Sequence, residues 1–538
     1  MNCKRFLFIA FIATCFSVNA QEQKPKLVIG LVVDQMRWDY LYRYNQLYGN
    51  GGFKRLLKEG FTAENTLIPY LPTYTAVGHS CIYTGSVPAI NGIVGNNWYD
   101  KGADKFVYCT DDSTVSTVGN AGKAGKMSPA NLWTTTITDE LRLSNNFKSK
   151  VIGIALKDRG AILPAGHSAN AAYWYDGGKW ISSTHYMTSL PAWVNSFNDK
   201  DVAGSYMSKD WNTLLPIEKY DLSTADDKPY ENVIRGEKAP VFPHKLSAID
   251  AGYKYESFRT TPFANTFSFD FAKAAIENEN LGKNIVTDFL ALSISSTDYV
   301  GHAFGPNSIE IEDTYLRLDK DIENFLTYLD TKIGKGNYTL FLSADHGVAH
   351  IPAFLNEHNI PGGTFDETAL TKELNKTVEE KLNVKTAIKT IMNYQLYLNK
   401  DNIATAGKTM AEVKQLLIDL LKEKDFIIAA IELDKAGTAT LPSPQKEMMI
   451  NGYNPKRSGD IQFTFKPGYF DGGNKGTTHG LWNPYDAHIP CVFFGWGVKP
   501  GKTNRETYMT DIAPTVAALL HIQMPSGNVG KVITELIK

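Results

Sequence analysis

Continuous apolar runs of strand length recur along the 538-residue chain, and they constrain its fold more than any other feature. An apolar run of this kind is typical of a strand buried on both faces, as in a parallel sheet. The runs lie at 26–34, 151–156, 288–295, 338–343 and 489–494. Amphipathic stretches typical of helices lie between or after them, at 135–143, 309–329 and 509–520. This alternation predicts an α/β fold with a doubly wound, mostly parallel central sheet and helices on both faces.

Charged side chains follow four of these apolar runs. They are Asp34, Lys157 with Arg159, Asp298, and Asp345 with His346. In open α/β sheets, ligands bind beyond the carboxyl ends of the strands. We therefore expect these side chains to meet at one edge of the sheet and to form a site there.

Two long intervals break the strand and helix rhythm. They span about 166–261, which contains a hairpin pattern at 172–180, and about 352–474. We interpret both as insertions that cap the site. The expected organisation is therefore one catalytic domain, residues 21–538, with two insertions.

The amino terminus has the pattern of a secretory signal. Lys4 and Arg5 precede the apolar stretch 6–16, which is too short to span a bilayer comfortably. The small residue Ala20 predicts cleavage after it, and a signal peptide 1–20 implies a periplasmic or secreted protein. A lipoprotein signal ending at Cys15 is the alternative, although the threonine before that cysteine fits it poorly.

Charge and cysteine content exclude some functions. The chain has 55 Lys and Arg against 57 Asp and Glu, and no basic run indicates nucleic acid as a partner. No later stretch is apolar enough to predict membrane insertion. Cys81, Cys109 and Cys491 would remain after cleavage, which allows one disulfide or none, and no C-x-x-C metal motif is present.

Three short motifs contain residues that bind metals. Asp298-x-x-x-His302 places a carboxylate and an imidazole on one face of a helical turn, Asp345-His346 precedes a glycine, and His479 lies between Thr478 and Gly480. Each motif alone has an ordinary structural explanation, such as a helix cap or a turn. With Asp34, however, the three provide three carboxylates and three imidazoles. This donor set suits two zinc ions, which can hold the attacking and the leaving oxygen of an in-line displacement.

Thr75 is the candidate nucleophile. The segment 72–85 is typical of a loop that runs into a helix, and a helix N-terminus favours anions. A hydroxyl bound to zinc there loses its proton readily and becomes an alkoxide. Thr73 is the competing nucleophile, Thr75 could instead be a helix cap, and His79 is expected to pack beside the site.

Asn96, Lys157 and Arg159 are candidates for binding phosphate. An arginine can hold two phosphate oxygens as a fork, whereas a lysine acts as a point charge. Two zinc ions, three aspartates and a threonine alkoxide are neutral together. Lys157 and Arg159 then add two positive charges, which match a phosphate monoester dianion better than a diester.

The order of these residues resembles that of the alkaline phosphatase superfamily, over nearly the whole mature chain. Thr75, Gly95-Asn96-Asn97 and Lys157-x-Arg159 resemble the PafA-type alkaline phosphatases in particular. Nucleotide pyrophosphatases and phosphodiesterases of the superfamily share the metal ligands and the threonine but lack the Lys-x-Arg pair. The resemblance therefore favours a phosphatase.

The resemblance implies a role for each residue. One zinc would be bound by Asp298, His302 and His479, and the other by Asp34, Asp345, His346 and the oxygen of Thr75. Asn96, Lys157 and Arg159 would bind the non-bridging phosphate oxygens, with Lys157 in place of a third metal ion. The resemblance further implies hydrolysis of small phosphate monoesters through a phospho-threonine intermediate, by a monomer.

Two other functions stay open on the sequence alone. One is a phosphodiesterase or nucleotide pyrophosphatase on the same scaffold. The other is a catalytically silent, zinc-stabilised binding protein, against which stands the complete set of ligands and nucleophile.

Overall fold

The computed structural model describes residues 24–538, so the predicted signal peptide lies outside the described residues. The strands are β1 (Leu27–Val33), β2 (Phe61–Leu67), β3 (Asn97–Asp100), β4 (Lys105–Tyr108), β5 (Thr117–Val118), β6 (Val151–Ala155), β7 (Ala171–Asp176), β8 (Lys179–Ser183), β9 (Asp288–Ile294), β10 (Tyr338–Ser343), β11 (Gly363–Phe365), β12 (Ile388–Met392), β13 (Gln395–Leu398), β14 (Ile427–Glu432), β15 (Ile461–Phe465), β16 (Tyr469–Asp471), β17 (His488–Ile489), β18 (Cys491–Gly495) and β19 (Gly501–Tyr508).

The α-helices connect and cover these strands. They are α1 (Tyr40–Arg43), α2 (Phe53–Glu59), α3 (Thr75–Thr84), α4 (Pro88–Asn91), α5 (Ile137–Leu143), α6 (Asp158–Ala165), α7 (Ala192–Asn198), α8 (Val202–Tyr206), α9 (Lys254–Ser257), α10 (Phe263–Asn278), α11 (Ser296–Phe304), α12 (Ile309–Leu329), α13 (Pro352–Glu357), α14 (Glu367–Leu382), α15 (Lys400–Thr405), α16 (Met410–Lys422), α17 (Gln445–Gly452), α18 (Pro484–Ala487) and α19 (Ile512–Leu520).

The central sheet contains eleven strands in the order β17-β2-β18-β10-β1-β9-β6-β7-β8-β5, with β19 beside β2. The five middle strands, from β10 to β7, are parallel to one another. Antiparallel pairs flank them at β10-β18 and at β7-β8. The predicted mostly parallel α/β sheet is confirmed, with antiparallel strands added at both ends.

Burial explains why the central strands are apolar along their whole length. All residues of β1 are buried, as are those of β6, β9 and β10. Two groups of helices pack together, α3 with α5, α6 and α19, and α12 with α2, α10 and α11. They cover the sheet on both faces, and this removes both sides of the middle strands from water. Gly30 in β1 allows the close approach of α3, since a Cβ there would lie 2.2 Å from the Tyr83 hydroxyl oxygen.

The structure differs from the sequence prediction at two strands. The predicted run 489–494 is divided into β17 and β18 by Pro490, because proline has no N–H to continue the ladder, and both strands run antiparallel to their neighbours. The predicted hairpin at 172–180 is formed by β7 and β8, and Gly177 and Gly178 adopt the positive φ angles of its two-residue turn. Since β7 pairs with β6, this hairpin extends the central sheet.

A second, antiparallel sheet forms within residues 352–474. Its order is β12-β13-β15-β14, and α14 and α16 pack against it. Asn393, in the turn between β12 and β13, donates a hydrogen bond of 2.8 Å to the backbone oxygen of Asn97. The ring of Tyr394 lies 6.5 Å from the ring of Tyr74, which directly precedes α3. The turn between β12 and β13 therefore contacts the residue before α3 and the first residue of β3.

Two further predictions concern the thiols and the membrane. Cys81, Cys109 and Cys491 are buried and unpaired. Between residues 24 and 538, the structure has no helix with the length and apolar character needed to cross a bilayer.

Candidate functional site

Neighbouring parallel strands bring the candidate residues to one edge of the sheet. Asp34 follows β1, Asp345 follows β10 after one residue, Lys157 follows β6, and Asp298 lies in the first turn of α11 after β9. Because β10, β1, β9 and β6 are adjacent and parallel, their carboxyl ends lie side by side. Residues 310 and more positions apart in the sequence are thereby brought into contact.

Asp298, His302 and His479 form one group, whose ligand atoms all lie within 4.8 Å of one another. The Nε2 atom of His302 is 3.2 Å from Oδ1 of Asp298, and Nε2 of His479 is 3.8 Å from the same oxygen. The helical spacing of Asp298 and His302 places both on one face of α11. His479 reaches this face from a loop that lies more than 170 residues later in the chain.

Asp34, Asp345 and His346 form a second group by the same distance criterion, and all three are fully buried. The Nε2 atom of His346 is 3.6 Å from Oδ1 of Asp34 and 3.4 Å from Oδ2 of Asp345. The two groups are adjacent, because the rings of His346 and His479 stack with their centroids 3.5 Å apart.

All three imidazoles are held by the same kind of hydrogen bond. Each Nδ1 lies at hydrogen-bond distance from a backbone oxygen, that of Thr477 for His302, of Gly347 for His346 and of Thr73 for His479. A carbonyl can only accept, so each Nδ1 carries the proton. The lone pair of each Nε2 then faces the carboxylates, which is the tautomer that metal-binding histidines adopt.

The electrostatics of the carboxylates fit a divalent cation. Asp34 Oδ1 and Asp345 Oδ2 are buried and accept no hydrogen bond. Burial and the nearby Asp345 raise the pKa of Asp34 well above its usual range. Burial opposes the charge of Asp298 as well, but the neighbouring Lys157 ammonium helps to hold its pKa well below the usual range. A cation between these acceptors would offset both the burial and the repulsion of the carboxylates, and so the donor set fits metal ions.

Lys157 lies between the two groups. Its Nζ atom is 2.7 Å from Oδ2 of Asp34 and 2.6 Å from Oδ2 of Asp298, and the side chain is only 2% exposed. Burial opposes the charge, but the two carboxylates outweigh it and raise the pKa of Lys157. The ammonium is therefore a fixed positive charge between Asp34 and Asp298.

Thr75 is the first residue of α3, and its hydroxyl faces the site. Its Oγ1 atom lies 3.3 Å from Nε2 of His346 and 3.5 Å from Nζ of Lys157. Thr73, the competing candidate, donates its hydroxyl to the backbone oxygen of Leu481. The geometry therefore places Thr75, and not Thr73, beside the metal-ligand candidates.

Asn96 and Arg159 lie at the edge of this cluster. Oδ1 of Asn96 accepts a hydrogen bond of 2.9 Å from the backbone N–H of Ala76, so its amide NH₂ group is left to donate elsewhere. Arg159 donates to the Tyr108 hydroxyl at 3.1 Å, and it lines the same pocket as Lys157. The structure thus brings together all residues that the sequence analysis singled out. Their roles as ligands, nucleophile and phosphate contacts remain predictions.

Sequence reasoning missed two residues that hold this site together. Gln35 donates from Nε2 to Asp298 and from its backbone N–H to Asp345, and thereby links the two groups. Asp486 accepts from the backbone N–H groups of Gly480 and Leu481, and thereby fixes the loop that carries His479. The only feature of the sequence that could have indicated Gln35 is its position next to Asp34. No feature of the sequence indicated Asp486. His79, expected to pack here, contacts Ser293 and lies 3.3 Å from Asp345.

Comparison with known proteins agrees with this geometry. Residues 28–488 match the family model described as type I phosphodiesterase / nucleotide pyrophosphatase. The chain belongs to this family. The match spans both metal-ligand groups, Thr75 and Lys157-x-Arg159, so the whole candidate site lies inside the family region.

Several proteins are similar to this family member over nearly their full length. It is 54% identical to alkaline phosphatase PhoV of Synechococcus elongatus, with 100% of both chains covered. It is 57% identical to a protein of Myroides odoratus named calcium-transporting ATPase, with 97% of both covered. The crystal structure of wild-type alkaline phosphatase PafA superposes with a TM-score of 0.94 at 50% identity, covering 96% of this chain and 99% of that one. The resemblance to PafA-type alkaline phosphatases is thereby confirmed.

Proposed function

We propose that this protein is an alkaline phosphatase that hydrolyses phosphate monoesters at a two-zinc site, with Thr75 as the nucleophile. The observation that carries this proposal is the position of the Thr75 hydroxyl, 3.3 Å from His346 and 3.5 Å from Lys157, beside two adjacent groups of metal-ligand candidates. The full-length similarity to PhoV and PafA supports monoester hydrolysis as the reaction.

Zinc is the proposed metal because each group consists of carboxylates and imidazoles, two ligand types that zinc accepts in open catalytic sites. Asp298, His302 and His479 would bind one ion, and Asp34, Asp345, His346 and Thr75 would bind the other. When bound, the ions would supply positive charge for the developing oxygen charges and would lower the pKa values of coordinated oxygens.

The chain's own residues would position the phosphate. Thr75 lies at the N-terminus of α3, where unpaired backbone N–H groups and the helix dipole favour an anion. Asn96 would donate its NH₂ group to one phosphate oxygen, because its amide oxygen is engaged by Ala76. Lys157 and Arg159 would hold the remaining non-bridging oxygens.

Covalent catalysis would proceed in two steps. Oγ of Thr75 would attack phosphorus as the bond to the leaving oxygen breaks, which produces phospho-threonine and an alcohol. Water would then attack the same phosphorus, so that inorganic phosphate leaves and the Thr75 hydroxyl is restored. Lys157 remains charged throughout, because two buried carboxylates raise its pKa.

The surroundings of the site complete the proposal. We place the protein in the periplasm or outside the cell, as a monomer, on the basis of the signal-peptide pattern at 1–20 and the resemblance. We also propose that the segment near 352–474, and the segment near 166–261 outside the hairpin of β7 and β8, cap the single catalytic domain. The contact of Asn393 with the backbone of Asn97 supports this for the second segment.

The test is hydrolysis of p-nitrophenyl phosphate beside bis-p-nitrophenyl phosphate at alkaline pH, before and after chelation. We expect strong monoesterase activity that chelator removes and zinc restores. Dominant diesterase activity would instead support the phosphodiesterase alternative. Zinc binding without turnover of either substrate would support a silent binding protein.

A double variant, Lys157→Ala with Arg159→Ala, tests how the dianion is recognised. We expect monoesterase activity to fall by at least tenfold more than diesterase activity, since a diester carries one negative charge less. Lys389→Ala is the control, because Lys389 forms an ion pair with Asp104 away from the ligand candidates. An equal loss on both substrates would contradict the proposed role of the pair.

A further inference from the structure

A pocket of about 310 Å³ adjoins the candidate site and contains an arginine that the proposed reaction does not use. Lys157 and Arg159 of the candidate site line it, together with Tyr299, Arg259 and Tyr175. The volume exceeds what one phosphate group needs, so the pocket can hold part of a substrate beyond the reacting phosphate.

Arg259 is fixed at this place by its neighbours. Its guanidinium carbon lies 5.3 Å from the centre of the Tyr175 ring. Tyr175 donates its backbone N–H to the oxygen of Leu156, the residue before Lys157. The short turn of Arg259, Phe258–Thr260, packs against α11, which carries Asp298 and Tyr299. The guanidinium is therefore held between β7 and α11.

The guanidinium of Arg259 is available for a ligand. Among residues 24–538, it donates no hydrogen bond and has no carboxylate within ion-pair distance, and its Nε atom is buried. The two carboxylates that also line the pocket already accept hydrogen bonds, Asp158 from Tyr108 and Thr110, and Asp176 from Asn120. A half-buried guanidinium with no acceptor in the protein favours an anion, because its buried Nε–H group has no hydrogen-bond partner.

We propose that Arg259 forms a second anion-binding subsite, which favours phosphate monoesters that carry a further anionic group near the reacting phosphate. This inference rests on the proposed phosphatase function and specifies its substrate class. The reacting phosphate would lie at Thr75, Lys157 and Arg159, and the second group, a carboxylate or another phosphate, would lie at Arg259. The aromatic walls, Tyr175 and Tyr299, would enclose the short linker between them.

Matched substrates test this proposal. In the first pair, glycerol 3-phosphate carries a hydroxymethyl group where 3-phosphoglycerate carries a carboxylate. In the second pair, 2-hydroxyethyl phosphate carries a hydroxyl where ethylene glycol bisphosphate carries a second phosphate. For the wild-type protein we expect kcat/KM to be higher for the second member of at least one pair, by about tenfold. The pair that shows the larger ratio identifies whether carboxylate or phosphate is preferred.

Arg259→Ala should abolish this preference while kcat/KM for glycerol 3-phosphate changes by less than about twofold, and Arg259→Lys should retain part of it. Arg235→Ala is the matched control, since Arg235 also stacks on a tyrosine, Tyr253, but does not line this pocket. Equal ratios in wild type and Arg259→Ala, or an equal loss on all substrates, would overturn the subsite. Absence of turnover by wild type on every monoester would overturn the proposed function, and the subsite with it.

Discussion

At the residue scale, the site depends on a few side chains whose charge is set by burial. Lys157 is the clearest case, because one ammonium lies within 2.7 Å of carboxylates from both metal-ligand groups. A buried charge is costly unless it is paired, so Lys157, Asp34 and Asp298 stabilise one another's charged forms. The same arrangement keeps a positive charge next to the Thr75 hydroxyl, where phosphate charge would develop.

Thr75→Ala is the most direct test at this scale. We expect p-nitrophenyl phosphate turnover to fall by at least about 10³-fold, because the variant has no oxygen to form the covalent intermediate. Metal content, measured by elemental analysis, should stay near that of wild type, since six other ligand candidates remain.

Thr75→Ser is the control for this prediction. It keeps a hydroxyl at the start of α3 and should retain measurable turnover, together with a phosphorylated enzyme trapped by acid quench. Near-normal activity of the alanine variant would exclude the covalent mechanism while leaving the metal site intact.

At the element scale, α12 shows how helices around the sheet carry buried carboxylates unrelated to the site. Asp321 lies on the side of α12 that packs against α10, and it accepts a hydrogen bond of 2.9 Å from Thr266. Burial raises the pKa of Asp321 to about 7, with a smaller contribution from Asp270. This carboxylate therefore costs stability when it ionises.

The sign of the effect gives a testable pH dependence for Asp321→Asn. The pKa of Asp321 is about 7 in the folded protein against 3.8 for an unperturbed aspartate, so the folded state holds a proton between these pH values that the unfolded state has lost. The favourable contribution is complete below pH 3.8 and disappears as the pH rises to 7. The variant should therefore exceed wild type in unfolding free energy at pH 8, by up to about 4 kcal/mol, and the difference should shrink toward pH 5.

Denaturant unfolding at both pH values measures this difference. Asp419→Asn, on the exposed face of α16, is the control and should change stability little at either pH. A difference between the Asp321 variant and wild type that is the same at pH 5 and pH 8 would show that the burial of this carboxylate does not govern its ionisation.

At the scale of the whole molecule, metal binding and folding should be coupled. The ligand candidates come from the ends of β1 and β10, from α11 and from the loop at His479, so an ion would connect segments that are far apart in the sequence. Ligands that bind only the folded state stabilise it by mass action. The cluster of three buried aspartates adds to this effect, because removal of a cation leaves their repulsion uncompensated.

Chelation should therefore lower the midpoint temperature of unfolding by at least about 5 °C. This size follows from the free energy by which bound metal usually stabilises a folded protein and from the unfolding enthalpy of a chain of this length. Scanning calorimetry with and without chelator measures the shift, and added zinc should reverse it. Asp298→Asn with His479→Ala is the matched variant, since it lacks two candidate ligands and should respond less to chelator. An unchanged midpoint would mean that these groups bind no stabilising ion.

Local sequence was sufficient for the motifs and for most central elements. The spacing of Asp298 and His302 predicts that both lie on one face of a helix, and the apolar run 338–343 predicts a buried strand. Both predictions succeed because each pattern depends only on residues that are close in the sequence. The prediction failed in detail where a single residue overrides the pattern, as Pro490 does between β17 and β18. It also placed the hairpin at 172–180 in a capping insertion, whereas pairing of β7 with β6 adds it to the central sheet.

The sequence by itself therefore determined the α/β class, the identity of the metal-ligand candidates and the presence of a hydroxyl at a helix start. Only the tertiary structure decided that Thr75 and not Thr73 faces the ligands, and that Lys157 lies between two carboxylates. It also decided that the guanidinium of Arg259, within residues 24–538, stacks on Tyr175 but forms no hydrogen bond or ion pair. The physical reason is that these contacts join segments whose proximity is set by strand order. Strand order depends on which apolar faces pack together across the whole chain, and no local pattern records it.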